Sequence, residues 1–164
     1  MSTDEAPTNE QANALPNITG DSSESETFRI TSKHYKRLMV TEVPYDFVAE
    51  AVDERPEFTW NSTREEAIER IFDSIEELDR VEIYVRNDVG AIVAGCVCVH
   101  HASDHVGDCL AIKWLFLTAG ARGGIHVRKM LGLAKALARD NGLNIMLLPS
   151  RVAVGEYRYK YRRV

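Results

Sequence analysis

Leu110-Ala-Ile-Lys-Trp-Leu-Phe-Leu117, then Thr118-Ala-Gly-Ala-Arg-Gly-Gly124, then a run from Ile125 to Arg139 decide the fold by their order. The first stretch is almost continuously apolar, as a strand buried on both faces is. The second packs three glycines into five positions and holds no regular element, because glycine favours positive φ and close backbone approach. In the third, Val127, Met130, Leu131, Ala134, Leu137 and Ala138 recur at helical spacing and share one face. Asn141-Gly142 stops that helix, and residues 143–148 form a second apolar strand closed by Pro149. A strand-turn-helix-strand unit of this kind aims the first free amides of a helix, and the positive end of its dipole, at the space beyond the strand end. Anions bind there. Arg122 in the turn adds a planar, forked donor suited to phosphate.

Outward from this unit, the 164 residues are 45% hydrophobic and 27% charged, enough for one domain with a core that stands without staples. No stretch approaches the roughly 18 apolar residues of a membrane span, and no basic start followed by an apolar run marks a secretory signal. A cytoplasmic location is expected, and three cysteines fit a reducing compartment. Cys96, Cys98 and His100 alternate along one strand, a spacing foreign to turn-built zinc sites, so no metal is expected. The net charge of −5 is unevenly spread. Residues 1–27 hold six acidic and no basic side chains, and the remainder holds 20 basic against 19 acidic. The opening 27 residues bury too little apolar surface to offset chain entropy, which predicts a disordered acidic arm before a domain at 28–164.

Within that domain, residues 28–31 read as a short strand and 32–43 as a helix of poor period. Residues 45–52 read as a helix bracketed by Pro44 and Pro56. Ser62-Thr63 followed by Glu65-Glu66 offers a capping box for a helix whose apolar face is Ile68, Ile71, Phe72, Ile75 and Leu78. Its acidic opposite face is a solvated one. Residues 81–86 and 91–101 alternate as a hairpin around Asn87-Asp-Val-Gly90, and 102–108 turn into the apolar strand. Residues 154–163 read as a last strand, with Tyr157, Tyr159 and Tyr161 on one face and Arg158, Lys160 and Arg162 on the other.

This order, with Arg-Gly-Gly between an apolar strand and a long helix, resembles the GCN5-related N-acetyltransferase (GNAT) superfamily, and most of all its small members encoded by tailed bacteriophages. The resemblance covers residues 28–150 and is strongest over 114–131. It implies an α+β (α/β) fold, a mixed central sheet flanked by helices. It further implies acetyl-CoA as co-substrate, held by Leu115, Phe116, Leu117, Arg122, Gly123, Gly124, Ile125, His126, Val127 and Arg128. Acetyl transfer to an amine of a small molecule or a protein follows, with strand amides near Leu115 and Leu117 polarising the thioester carbonyl. Asp108 or His101 is the candidate base, and Tyr157, ahead of Tyr159 and Tyr161, the candidate acid toward the leaving thiolate.

Two departures stand beside the resemblance. With Arg122 first in the family's Gln/Arg-x-x-Gly-x-Gly/Ala turn, the small-residue positions fall on Ile125 and Val127, and Gly123 and Gly124 come early. After the fifth strand only residues 151–164 remain, too few for the helix and two strands that family members add. The sheet is therefore expected to be truncated or completed by a partner chain. An alternative function follows: a catalytically inactive GNAT-shaped structural protein, such as a virion component, docked on a protein partner through its arm. In that case the location is the host cytoplasm or the virion. Nucleic-acid binding is not expected from so small a basic excess.

Overall fold

The computed structural model describes residues 28–118 and 124–164, so the expected arm lies outside the described residues. Six strands form one sheet in chain order: β1 (Arg29–Tyr35), β2 (Arg80–Arg86), β3 (Ile92–Ser103), β4 (Gly107–Leu117), β5 (Ile145–Ala153) and β6 (Glu156–Arg163). Neighbours are antiparallel except β4 and β5, which are parallel. Helices α1 (Tyr45–Asp53) and α2 (Arg64–Glu76), with a 3₁₀ turn at Pro56–Thr59 between them, cover one face. Helix α3 (Ile125–Asp140) is the crossover between β4 and β5 and covers the other. The fold class is the expected mixed sheet flanked by helices.

Local chemistry explains the elements. Thr63 caps α2 through the amide of Glu66, whose carboxylate returns to the Thr63 amide at 2.8 Å. This reciprocal pair satisfies two of the donors that open a helix. Strand β2 is buried on both sides: Val81, Ile83 and Val85 join the core under α3, and Tyr84 joins the core under α1 and α2. On β4 the register to β3 slips by one residue, since Cys98 faces Ile112 while Val97 faces Trp114. Lys113 is the extra residue of this bulge. Ile112 consequently stays in the α3-side core, whereas Trp114 and Phe116 turn to the α1–α2 side.

Gly95 of β3 is a close-approach glycine. A Cβ there would lie 2.8 Å from the Tyr84 ring and 3.3 Å from the Ile83 carbonyl oxygen. Gly95→Ala is expected to cost about 1–3 kcal/mol as an overpacking change, read as a lower urea midpoint at unchanged slope.

Two expectations change. Residues 32–43 form no helix: β1 runs to Tyr35, and Leu38 takes φ 66°. The segment is held from outside, by Arg37 N donating to Asp79, Leu38 N to the Glu76 carbonyl and Thr41 N to the Glu76 carboxylate. Beneath it lies a buried polar knot. Glu82 accepts from Arg80 Nε at 2.6 Å, Thr41 Oγ1 at 2.6 Å, the Glu42 amide at 3.2 Å and the Tyr84 hydroxyl. Arg80 also donates to the Met39 and Leu78 carbonyls. The other change is that β5 continues through Pro149 to Ala153. At that point β5 has a neighbour on one side only, so the missing proline N–H breaks one ladder at most.

Candidate functional site

Strands β4 and β5 touch only briefly. Their parallel register holds for Leu110 with Met146 and Ala111 with Leu147, after which the strands diverge, and β6 follows β5 outward. Residues 112–117 and 148–153 thus border a wedge in the middle of the sheet, with main-chain groups of both strands turned toward it. A cavity of about 310 Å³ sits there, lined by residues 115–117 of β4, Arg151 of β5, Phe47 and Glu50 of α1 and Glu54, the C-cap of that helix. These three share a face by their 3- and 4-residue spacing, since the cap keeps helical backbone angles.

The β5 side of the wedge is pinned from below. Glu57, in the 3₁₀ turn, accepts both arms of the Arg151 guanidinium at 2.6 and 3.0 Å and the Tyr157 hydroxyl at 3.0 Å. Burial, the largest single influence, would raise the Glu57 carboxyl, but the Arg151 fork, a backbone amide, the Tyr157 hydroxyl and the Arg151 charge together outweigh it and hold the group at about 2. The Tyr157 phenol is raised, first by burial and then by its bond to Glu57. Trp60 packs on Gly155 at the hairpin, where a Cβ would come within 2.6 Å of its ring.

Because the Glu57 value is depressed in the fold, its stabilisation is complete above the ordinary carboxylate value near 4.5 and disappears as pH falls toward 2. Glu57→Gln should therefore flatten the acid dependence of the melting temperature between pH 4.5 and 2 while lowering stability at neutral pH. An unchanged profile would remove the clamp from the account.

Helix α3 opens at the same end of the sheet. Its N-cap is Gly124 with extended backbone (φ −86°, ψ −174°), with no side-chain cap and no acidic residue in the first turn. By contrast, α2 closes its own start with a capping box and two glutamates. The first-turn amides of α3 and its dipole thus remain unanswered by its own side chains, a condition that suits an anion. His126 Nδ1 is buried with no hydrogen-bond partner among the described residues, and its ring lies 3.9 Å from that of Phe28. Ile125 is 51% exposed and turned away from the core, Val127 is half-buried and Arg128 is exposed. Arg122 and Gly123 lie outside the described residues.

The structure therefore gathers Leu115, Phe116, Leu117, Tyr157 and the start of α3 at one end of the sheet. Asp108 and His101 sit at the other. Asp108 stands near the start of β4, seven residues from Leu115, which at about 3.3 Å per residue is some 20 Å. It lies 3.3 Å from His100, beside a separate cavity of about 660 Å³ below the end of α3. His101 pairs with Cys109 across the strands at the same end. Glu50 and Glu54 were not among the expected site residues; only the helical face shared with Phe47 could have pointed to them. Cys96 and Cys98 point into the α3-side core and Cys109 to the other side, and no metal-ligating cluster forms among the described residues.

No protein-family model and no curated protein matches this sequence. Solved structures do. The chain is similar to a Pyrococcus furiosus protein described as an acetyl transferase, with TM-score 0.56 and 16% identity over 79% of this chain and 85% of that one. It is similar to the GCN5-related glucosamine N-acetyltransferase region of a fungal multi-domain GH3 β-N-acetylglucosaminidase, with TM-score 0.55 and 16% identity over 85% of this chain. The match spans only 15% of that fungal chain. An aminoglycoside acetyltransferase from an uncultured soil metagenomic sample matches with TM-score 0.50 and 14% identity, over 79% of this chain and 83% of that one. The fold is that of the GCN5-related N-acetyltransferases.

Proposed function

We propose that the chain is an acyl-CoA-dependent N-acetyltransferase that acetylates an amine of a small molecule or a protein. The observation that carries this reading is the coincidence, at one end of the sheet, of the β4–β5 wedge and the start of α3, which no side chain caps among the described residues. A thioester carrier has two chemical ends. Its diphosphate suits free amides at a helix start, and its extended amide-bearing arm suits unpaired strand edges. The first-turn amides of α3, with Arg122, Gly123 and Arg128, would hold the phosphates, and residues 115–117 the arm. Bound there, acetyl-CoA supplies the activated acyl group.

The chain's own groups then have distinct tasks. Amides of residues 115–117 that face the wedge polarise the thioester carbonyl. Glu54 or Glu50, on the cavity wall opposite, draws in the acceptor ammonium and takes its proton before attack. In this reading the base is one of these two rather than Asp108 or His101, because a base must come within hydrogen-bond reach of the amine it serves. Tyr157 is the proposed acid for the departing thiolate, and it would have to release Glu57 to act.

Calorimetry of the full chain with acetyl-CoA tests the reading. Saturable heat with a dissociation constant at or below about 100 µM is expected, weaker for dephospho-CoA. Absence of both heat and thermal shift at millimolar acetyl-CoA would end it. No specific observation favours the alternative of a non-catalytic phage or virion component.

A further inference from the structure

Strand β6 is one of the two edges of the sheet, and all eight of its residues are exposed. Its tyrosines turn to the α1–α2 side, where Tyr161 meets Ser103 and Tyr157 meets Glu57. Alternation then places Arg158, Lys160 and Arg162 on the α3 side. Their partners agree, since Lys160 lies opposite Leu148 and Arg162 opposite Met146, both of the α3-side core. Among the described residues none of the three makes an ion pair.

Charge divides the molecule by face. On its α3 side β6 has three basic and one acidic side chain, and α3 itself has four and one. On the opposite face, α1 and α2 together carry eight acidic and two basic. Residues 1–27 are the longest purely acidic segment of this chain, with six carboxylates and no basic side chain. That segment joins the domain at Phe28, whose ring packs on His126 in the first turn of α3. Phe28 thus stands on the basic face, at the end of the sheet where Arg158 lies opposite Ser150.

Reach permits a contact within one chain. From β1 to β6 is five strand spacings, at least about 24 Å, and more where β4 and β5 diverge. A random coil of 27 residues has a root-mean-square span of about 30 Å. A span so matched gives an effective concentration in the millimolar range. We propose that residues 1–27 dock on the α3-side face of β6, their carboxylates against Arg158, Lys160 and Arg162. The contact is electrostatic and exposed, so it weakens steeply with salt.

Lys160 allows a direct test. Zero-length carbodiimide cross-linking of the full chain at low ionic strength should join Lys160 to Asp4, Glu5 or Glu10 in the monomer fraction. Glu24 and Glu26 are too near Phe28 to span the distance. The yield should fall at least fivefold in 0.5 M NaCl, and at least fivefold in an Arg158→Glu/Arg162→Glu variant that keeps Lys160. Both substituted side chains are exposed, so an unchanged melting temperature should accompany the loss. Links to Lys129 or Lys135 alone, or an undiminished yield in the variant, would overturn the assignment. Links found only in a covalent dimer would give the face to a second copy's arm. Absence of links, with single-stranded oligonucleotide binding that the variant loses, would give it to nucleic acid.

Discussion

Replacing Glu82 with glutamine is expected to lower the stability of the fold by about 3–5 kcal/mol, the usual cost of leaving a buried cation without its counter-charge. Glu82 and Arg80 have no exposed side-chain surface and are 2.6 Å apart, so no water replaces the lost partner. Thr41 and the Glu42 amide lose part of the same anchor, which loosens residues 36–43 from the sheet. In a domain of this size the melting temperature should drop by roughly 10–20 °C. Arg80→Met with Glu82→Leu should be closer to wild type than either single change, because the double replacement removes both charges together. Calorimetric scans of the five proteins (wild type, Glu82→Gln, Arg80→Met, Glu82→Leu and the double variant) decide it. A Glu82→Gln melting temperature within 2 °C of wild type would show that the knot contributes little.

The second large effect runs in opposite directions for stability and binding. Gly124 already has the extended backbone of an N-cap, which any residue adopts. Gly124→Asp places a carboxylate where it accepts from the first amides of α3 and meets the positive end of its dipole. The helix should gain up to about 1 kcal/mol. The same carboxylate occupies the amides proposed for the diphosphate and repels it, so acetyl-CoA affinity should fall at least thirtyfold. Thermal denaturation and calorimetry on one variant read both signs. A more stable protein with unaltered affinity would move the phosphates away from α3.

What could be read from the sequence was whatever local periodicity encodes. The α2 capping box, the period of α3 and the alternation of β2 and β6 are each written within a dozen residues, and each is found. Residues 36–43 were misread because their conformation depends on Glu76, Asp79 and Glu82, some 40 positions away. The bulge at Lys113 has no local signature either. Asp108 and His101 stand before the apolar strand in chain order, and the structure leaves them at the end of the sheet away from the start of α3. Glu50 and Glu54 lie on an acidic helix like many solvated ones, and only the divergence of β4 from β5 turns their face into a wall.

Lys113 sets the phase of everything that follows it in β4. Were that single residue deleted, Trp114 and Phe116 would rotate by half a pleat into the space of Met130 and Ala134, and Leu115 and Leu117 would swing beneath α1. Two bulky rings would then compete with a helix for the same layer, and the edge facing the wedge would present the wrong alternate amides. One supernumerary lysine thus keeps the aromatic ballast on one side and the wedge-facing lip in phase on the other.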